Sequence, residues 1–414
     1  MPSFRRVAMR LLYSTMSNWQ TVASWYDNLV AKKLAPGDEL KKKVDELIAG
    51  KSDQNQKLAA LFYYVAQKIR YLGVSGESER PGFEPHDVNL TLSRRHGVCR
   101  DKAALLVSML QYAGFNAKAV LIRVGDKLDS EIPLPYFNHA IVAVLDNNDN
   151  VINFLDPTSE TSRQFLPDYE RECSYLVADK QKSDLGLTPP LPPEKNSFKL
   201  DIVDRFAEDG NLSGSITVEC TGFNDTLMRS IMMNQSKKEQ KLLLKRFFLR
   251  QYSGLELENI KWSDPADRNK NFSFSGDFSI AAAAVSTKPK STIYIQPLIF
   301  MANSSLLERW IINLADMTTR HYPIKLGYTF TTVASEHLTF ARPPKKVFLP
   351  DNYNLENEIF SATLNCRQTT SEQLLIKRRF SLQKTEVDAH LYNKLAKLQN
   401  YKQRLSLTPI VIER

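Results

Sequence analysis

Cys99, His139 and Asp156 are the side chains whose types and settings could support nucleophilic chemistry in this sequence. Cys99 lies in Arg95-His96-Gly97-Val98-Cys99-Arg100-Asp101-Lys102, where a glycine-containing turn runs directly into a helical pattern. Leu106, Val107 and Leu110 follow at helical spacing, and Gly114 supplies a stop. A thiol at a helix start meets unpaired N–H groups and the positive end of the helix dipole, which favour the thiolate, the nucleophilic form. Taken alone, the position also suits a cysteine that is only a small apolar residue.

His139 and Asp156 weigh the balance toward chemistry. Asn138-His139-Ala140-Ile141-Val142-Ala143-Val144-Leu145 reads as a strand opened by a histidine. Asp146-Asn147-Asn148-Asp149-Asn150 is a dense turn signal, and Val151-Ile152-Asn153-Phe154-Leu155-Asp156-Pro157 reads as a returning strand stopped by proline. Folding this hairpin about Asn147-Asn148 places His139 opposite Asp156 on one face, with Cβ atoms about 5 Å apart. In that arrangement a carboxylate orients an imidazole. A one-residue slip would put the two side chains on opposite faces.

The elements that must position these groups come next. Ser17 is expected to cap a first helix with Trp19, Val22, Tyr26 and Leu29 on one face. Gly37 or Asp38 opens a second helix, and a third begins near Asp53. Residues 72 to 95, with three glycines and two prolines, read as a long loop leading to Cys99. The run 117–124 reads as a strand before the hairpin.

On these residues the chain resembles the transglutaminase-like superfamily of papain-like folds. The resemblance rests on Gly97-Val98-Cys99, Asn138-His139-Ala140 and Leu155-Asp156-Pro157-Thr158, in that order. It covers residues 15 to 180 and, more loosely, the β-rich remainder, and is closest to bacterial members whose core sits between β-rich domains. It implies a Cys99–His139–Asp156 triad acting on peptide or carboxamide carbonyls. The Cys99 backbone N–H, or Tyr71 in Ile69-Arg70-Tyr71, would serve as an oxyanion or substrate contact. Relatives often carry Asp or Gln before the cysteine, and this chain has Val98. Relatives also commonly have an export signal and a further β-domain upstream. The resemblance therefore implies a periplasmic or cell-envelope setting, and a chain that is a fragment beginning near the end of that domain.

Composition bounds the remaining classes. With 414 residues, 43% of them apolar, the chain has material for two or three domains with substantial cores. The net charge of +9 contains no block of five or six like charges and no stacking-aromatic motif. Scattered solvated lysine explains it better than nucleic-acid binding. Cys99, Cys173, Cys220 and Cys366 form no C-x-x-C pair, so no zinc or iron–sulfur pattern and no cofactor is expected. His86, His96, His321, His337 and His390 are read as structural or solvated. No apolar run reaches membrane-spanning length, and the N-terminus is not read as a signal peptide.

The expected fold class is α+β: a papain-like transglutaminase core of helices plus an antiparallel sheet, followed by two β-rich, sandwich-like domains. The expected divisions are a core over 1–187, with 1–15 a remnant of an upstream β-domain or a linker. A proline-rich linker over 188–196 follows, then a β-rich domain with an amphipathic helix over 197–322. A C-terminal β-rich domain with a terminal helix, 323–414, completes the chain. The basic helix near Lys237 to Arg250 is expected to pack on a sheet rather than lie on a membrane. The expected function is cysteine-dependent acyl transfer through a thioester, ending in amide or peptide hydrolysis or in protein crosslinking. The partner would be a protein or peptide substrate. The alternative is a catalytically silent scaffold that binds a partner in the cell envelope.

Overall fold

The computed structural model describes residues 8–73, 82–181, 183–249, 254–286, 292–301, 306–315 and 319–414. Residues 1–7 of the expected N-terminal remnant, and 74–81 of the expected long loop, lie outside the described residues. The chain divides into two compact units that meet at 190/191, inside the proline-rich stretch.

The described residues of the unit over 8–190 include the α-helices α1 (Trp19–Ala31), α2 (Asp38–Ile48), α3 (Gln54–Lys68), α4 (Val88–Arg94) and α5 (Cys99–Tyr112). Asn18, not Ser17, caps α1, its side chain accepting from Thr21 N. Asp53 caps α3, accepting from the amides of Asn55 and Gln56. A two-stranded parallel ladder joins β1 (Arg70–Tyr71) to β2 (His96–Gly97). A five-stranded antiparallel sheet has the order β5-β4-β3-β6-β7. Its strands are β3 (Ala117–Ile122), β4 (His139–Leu145), β5 (Val151–Leu155), β6 (Ser174–Val177) and β7 (Gly186–Leu187).

Helix α5 is buried continuously from Arg100 to Leu110. A helix buried all round must be apolar or fully partnered. Beyond the first turn this buried stretch is apolar apart from Ser108, whose hydroxyl donates to Leu34 O. In the first turn, Lys102 donates to the carbonyls of Ala66 (3.2 Å) and Ile69 (2.6 Å), which satisfies the C-terminal end of α3. Helix α5 packs on β3 and β4, and Val22, Phe62, Leu105, Leu106, Ala140 and Val142 belong to its core. Val120, Ile122, Ile141 and Phe154 cover the opposite sheet face with Leu166 and Cys173.

The unit over 191–414 corrects the expected division at 322/323. One eight-stranded sheet draws strands from both sides of that point. Strand Ser197–Phe206 pairs with Leu212–Cys220 on one edge and, in parallel, with Phe330–Phe340 on the other. The parallel ladder runs from Thr331 opposite Ser197 to Phe340 opposite Phe206. Its continuous backbone bonding joins the two expected β-domains into one core containing Phe198, Ile202, Ile216, Leu338, Ile376 and Phe380. A separate four-stranded sheet uses Ala284–Ser286, Thr292–Ile295, Ile410–Glu413 and Lys346–Phe348. Leu244 of the helix Lys237–Leu249 is buried in the unit's core, with Leu243 and Phe247 packed against it, and the helix contacts strand Leu255–Trp262. The expected terminal helix is two short ones, Tyr392–Ala396 and Leu398–Leu407. All four cysteines are unbridged. Among the described residues no helix is long and apolar enough to cross a membrane.

Candidate active site

Cys99 is the first residue of α5, and Val98 occupies the cap position with extended backbone. Valine has no capping oxygen, so the work falls to the third helical residue. The Asp101 carboxylate accepts from Val98 N (3.1 Å) through one oxygen, and from His86 N (2.8 Å) through the other. His86 Nδ1 lies 3.1 Å from the same Asp101 oxygen. His86, read from the sequence as structural or solvated, thus braces the turn that presents the thiol. Gly97 is needed for close approach: a Cβ there would stand 2.7 Å from Asp101 Cβ.

His139 opens β4, and Asp156 directly follows β5. The hairpin register differs from the expected one. Val142 opposes Leu155, Ala143 opposes Phe154 and Val144 opposes Asn153, with a shift before Leu145 and Val151. The strands have slipped by two residues relative to a fold about Asn147-Asn148. An even slip preserves the sheet face. His139 and Asp156 still meet, diagonally rather than directly opposed, with Nε2 3.3 Å from Oδ1.

The Asp156 carboxylate is fully buried and well supplied with donors. Thr158 contributes both its backbone N–H (2.8 Å) and its hydroxyl (2.7 Å) to Oδ1, and the Tyr169 hydroxyl lies 3.4 Å from Oδ2. Burial alone would raise the Asp156 pKa. The His139 charge, the hydrogen bond to His139 and the Thr158 donors outweigh it, and the group stays below its ordinary value. His139 responds in the opposite sense. Burial works to lower its pKa, but the Asp156 charge and hydrogen bonds to Asp156 and to the Cys99 side chain hold it well above 6.5. Cys99 itself is half-buried.

The structure thus brings Cys99, His139 and Asp156 together. Tyr71 belongs to the same cluster: its backbone pairs with Gly97, and its N–H donates to Glu160 Oε1 at 3.0 Å. Burial first, then the nearby Cys99, raises the pKa of its phenol.

A fifth group was not singled out from sequence. Glu170, in a single turn of 3-10 helix, is fully buried, with Oε1 3.4 Å from His139 Nε2. Its pKa is held well above 4.5, by burial first and then by the Asp156 charge. Among the described residues, His139, Asp156 and Glu170 are also the one group of such side chains whose donor atoms converge within 4.8 Å. The Asp156 and His139 charges act on Glu170 in opposite senses, and burial works against its ionisation. The Asp-Pro-Thr run carries a local signal for the Thr158 contacts, because a carboxylate accepting from the residue two positions on is a common turn. Nothing local marks Glu170 or the His86–Asp101 pair.

Residues 41–153 match the model of the transglutaminase-like superfamily, a segment that contains Cys99 and His139. The resemblance read from the sequence is borne out there. Residues 291–412 match a domain of unknown function with a solved structure, DUF3858. The fold is similar to the crystal structure, at 2.00 Å, of a candidate protease from Parabacteroides distasonis ATCC 8503. That likeness has a TM-score of 0.54 and 12% identity, and it covers 96% of this chain and 59% of that one. The chain therefore spans less than two thirds of that protein's length, and at this identity the likeness is one of fold. It supports the α+β class with a transglutaminase-like core. No curated protein matches the chain.

Proposed function

We propose that this protein catalyses acyl transfer through a thioester on Cys99, with His139 as acid and base and Asp156 orienting the imidazole. The observation that carries the reading is the contact chain from the half-buried Cys99 thiol to His139, and from His139 Nε2 to the buried Asp156 carboxylate. With Nε2 committed to the carboxylate, Nδ1 is the nitrogen that serves the thiol. The Cys99 thiolate adds to a peptide or carboxamide carbonyl. The imidazolium gives its proton to the departing amine, and the C–N bond breaks to leave the thioester. Water then attacks while His139 takes its proton, releasing the acid and regenerating the thiolate. A primary amine in place of water gives a crosslink. The developing oxyanion would be met by the Cys99 N–H at the start of α5 and by the Tyr71 hydroxyl. The proposed substrate is a protein or peptide, and hydrolysis is the preferred outcome. The resemblance also suggests the periplasm or cell envelope as the place of action, which cell fractionation would check.

The test is intact-mass analysis after exposure to iodoacetamide. One adduct is expected, on Cys99, because the other three cysteines are buried. His139→Ala should slow its formation at least ten-fold. Labelling that is slow and indifferent to His139 would favour the silent envelope scaffold instead. Supplying glycinamide together with a glutamine-containing peptide then separates hydrolysis from amine transfer by product mass.

A further inference from the structure

Both carboxyl oxygens of Glu170 are shielded from solvent, and among the described residues neither receives an N–H or O–H donor in normal hydrogen-bond geometry. Its charged neighbours are Asp156, Arg171 and His139, whose Nε2 at 3.4 Å is already 3.3 Å from Asp156 Oδ1. An ionised carboxylate so placed would be a fully buried charge with no donor in normal geometry beside a second negative charge, a cost that the His139 and Arg171 charges offset only in part. A protonated Glu170 removes the conflict, because its O–H can donate to the one strong acceptor within reach.

We propose that Glu170 is a positioning residue of this site: a neutral carboxylic acid that donates its proton to Asp156 and keeps Asp156 as the single carboxylate aligned on His139. The direction of the Glu170 pKa agrees with this, since burial and the Asp156 charge both oppose its ionisation. The pattern completes the donor set of Asp156. Thr158 serves Oδ1 twice and Tyr169 approaches Oδ2. The Glu170 acid supplies a further donor. Glu170 lies against Asp156 and His139 and acts on Cys99 through them. The effect on chemistry rests on the acyl-transfer reading above, while the protonation state does not.

The experiment uses the whole protein and two variants. Glu170→Gln keeps a neutral donor of nearly the same shape, and Glu170→Leu fills the space with no donor. The infrared difference spectrum of wild type minus E170Q at neutral pH should lose the carbonyl stretch of a protonated acid. Loss of the paired carboxylate stretches instead would overturn the proposal, whatever Cys99 does. The rate of Cys99 alkylation against pH supplies the second reading. E170Q should follow the wild-type profile with its midpoints unmoved, and E170L should label on the order of ten-fold more slowly, the effect of removing one hydrogen bond to a charged group. An ionised Glu170 would instead make E170Q shift the His139-dependent limb to lower pH. A Glu170 that only fills space would let E170L label at the wild-type rate, and either result would sink the proposal. If Cys99 is unreactive in every form, the acyl-transfer reading fails while the infrared result still decides the state of Glu170.

Discussion

At the scale of single residues, the site depends on donors held close to one carboxylate. Thr158 is the test of that dependence. Thr158→Val keeps the shape and the backbone N–H bond to Asp156 but removes the 2.7 Å hydroxyl bond. Losing a hydrogen bond to a charged group costs about 1.5–3 kcal/mol. Cys99 alkylation should therefore slow on the order of ten-fold or more, and Thr158→Ser should restore most of the rate. A valine variant as fast as wild type would show that Asp156 needs no such support. Gly97→Ala is the companion change at the nucleophile's turn. Its Cβ would crowd Asp101, so the carboxylate must leave Val98 N or His86 N. Overpacking of this kind typically costs about 1–3 kcal/mol. Thermal unfolding should report the loss, and alkylation should slow with it, because both follow from one displaced cap.

At the scale of elements, the hairpin shows what a sequence can and cannot specify. The turn signal between β4 and β5 places the fold-back, and the strand period of two fixes which side chains share a face, so the meeting of His139 and Asp156 was legible. The absolute register was not, because the Asp146–Asn150 loop is closed by Asp146 accepting from Asn148 N and Asn150 N rather than by a two-residue turn. The α5 start was legible from Gly97 and the helical spacing. Its actual brace was not, since His86 and Asp101 are joined by side-chain geometry that periodicity does not encode. The adjacent parallel strands Ser197–Phe206 and Phe330–Phe340 offer a prediction of their own. They bury Asp204 and Glu336 side by side, and Glu336 also accepts from Ile299 N at 2.9 Å. Burial pushes Glu336 up to about 7, and burial together with Glu336 raises Asp204. A carboxyl whose pKa is raised on folding stabilises the fold fully only below its unfolded value. That contribution is lost as pH climbs from about 4.5 through 7. For Glu336 the loss is on the order of 3 kcal/mol. Denaturant midpoints should fall across this window, and Glu336→Gln should flatten the fall and leave the variant more stable than wild type at pH 8. Equal slopes for the two proteins would show that Glu336 stays protonated throughout.

At the scale of the whole molecule, the proline-rich run was legible as a boundary because prolines withhold ladder donors and stiffen the chain. The single sheet beyond it was not. Its central parallel pairing joins segments more than a hundred residues apart, and alternation within a strand carries no record of its distant neighbour. The same reasoning separates chemistry from the second unit. Cys99, His139, Asp156, Tyr71 and Glu170 all belong to the unit over 8–190, which has its own helical and sheet core. A fragment of residues 8–190 should therefore unfold in one cooperative transition, and its Cys99 should alkylate with the same dependence on His139 as in the full chain. The decisive comparison is the ratio of the alkylation rate to that of its His139→Ala form, measured in the fragment and in the full chain. Equal ratios mean the residues of the first unit suffice to prepare the thiol. A ratio near one in a folded fragment would mean that they do not, and the division of labour argued from the two cores would be wrong.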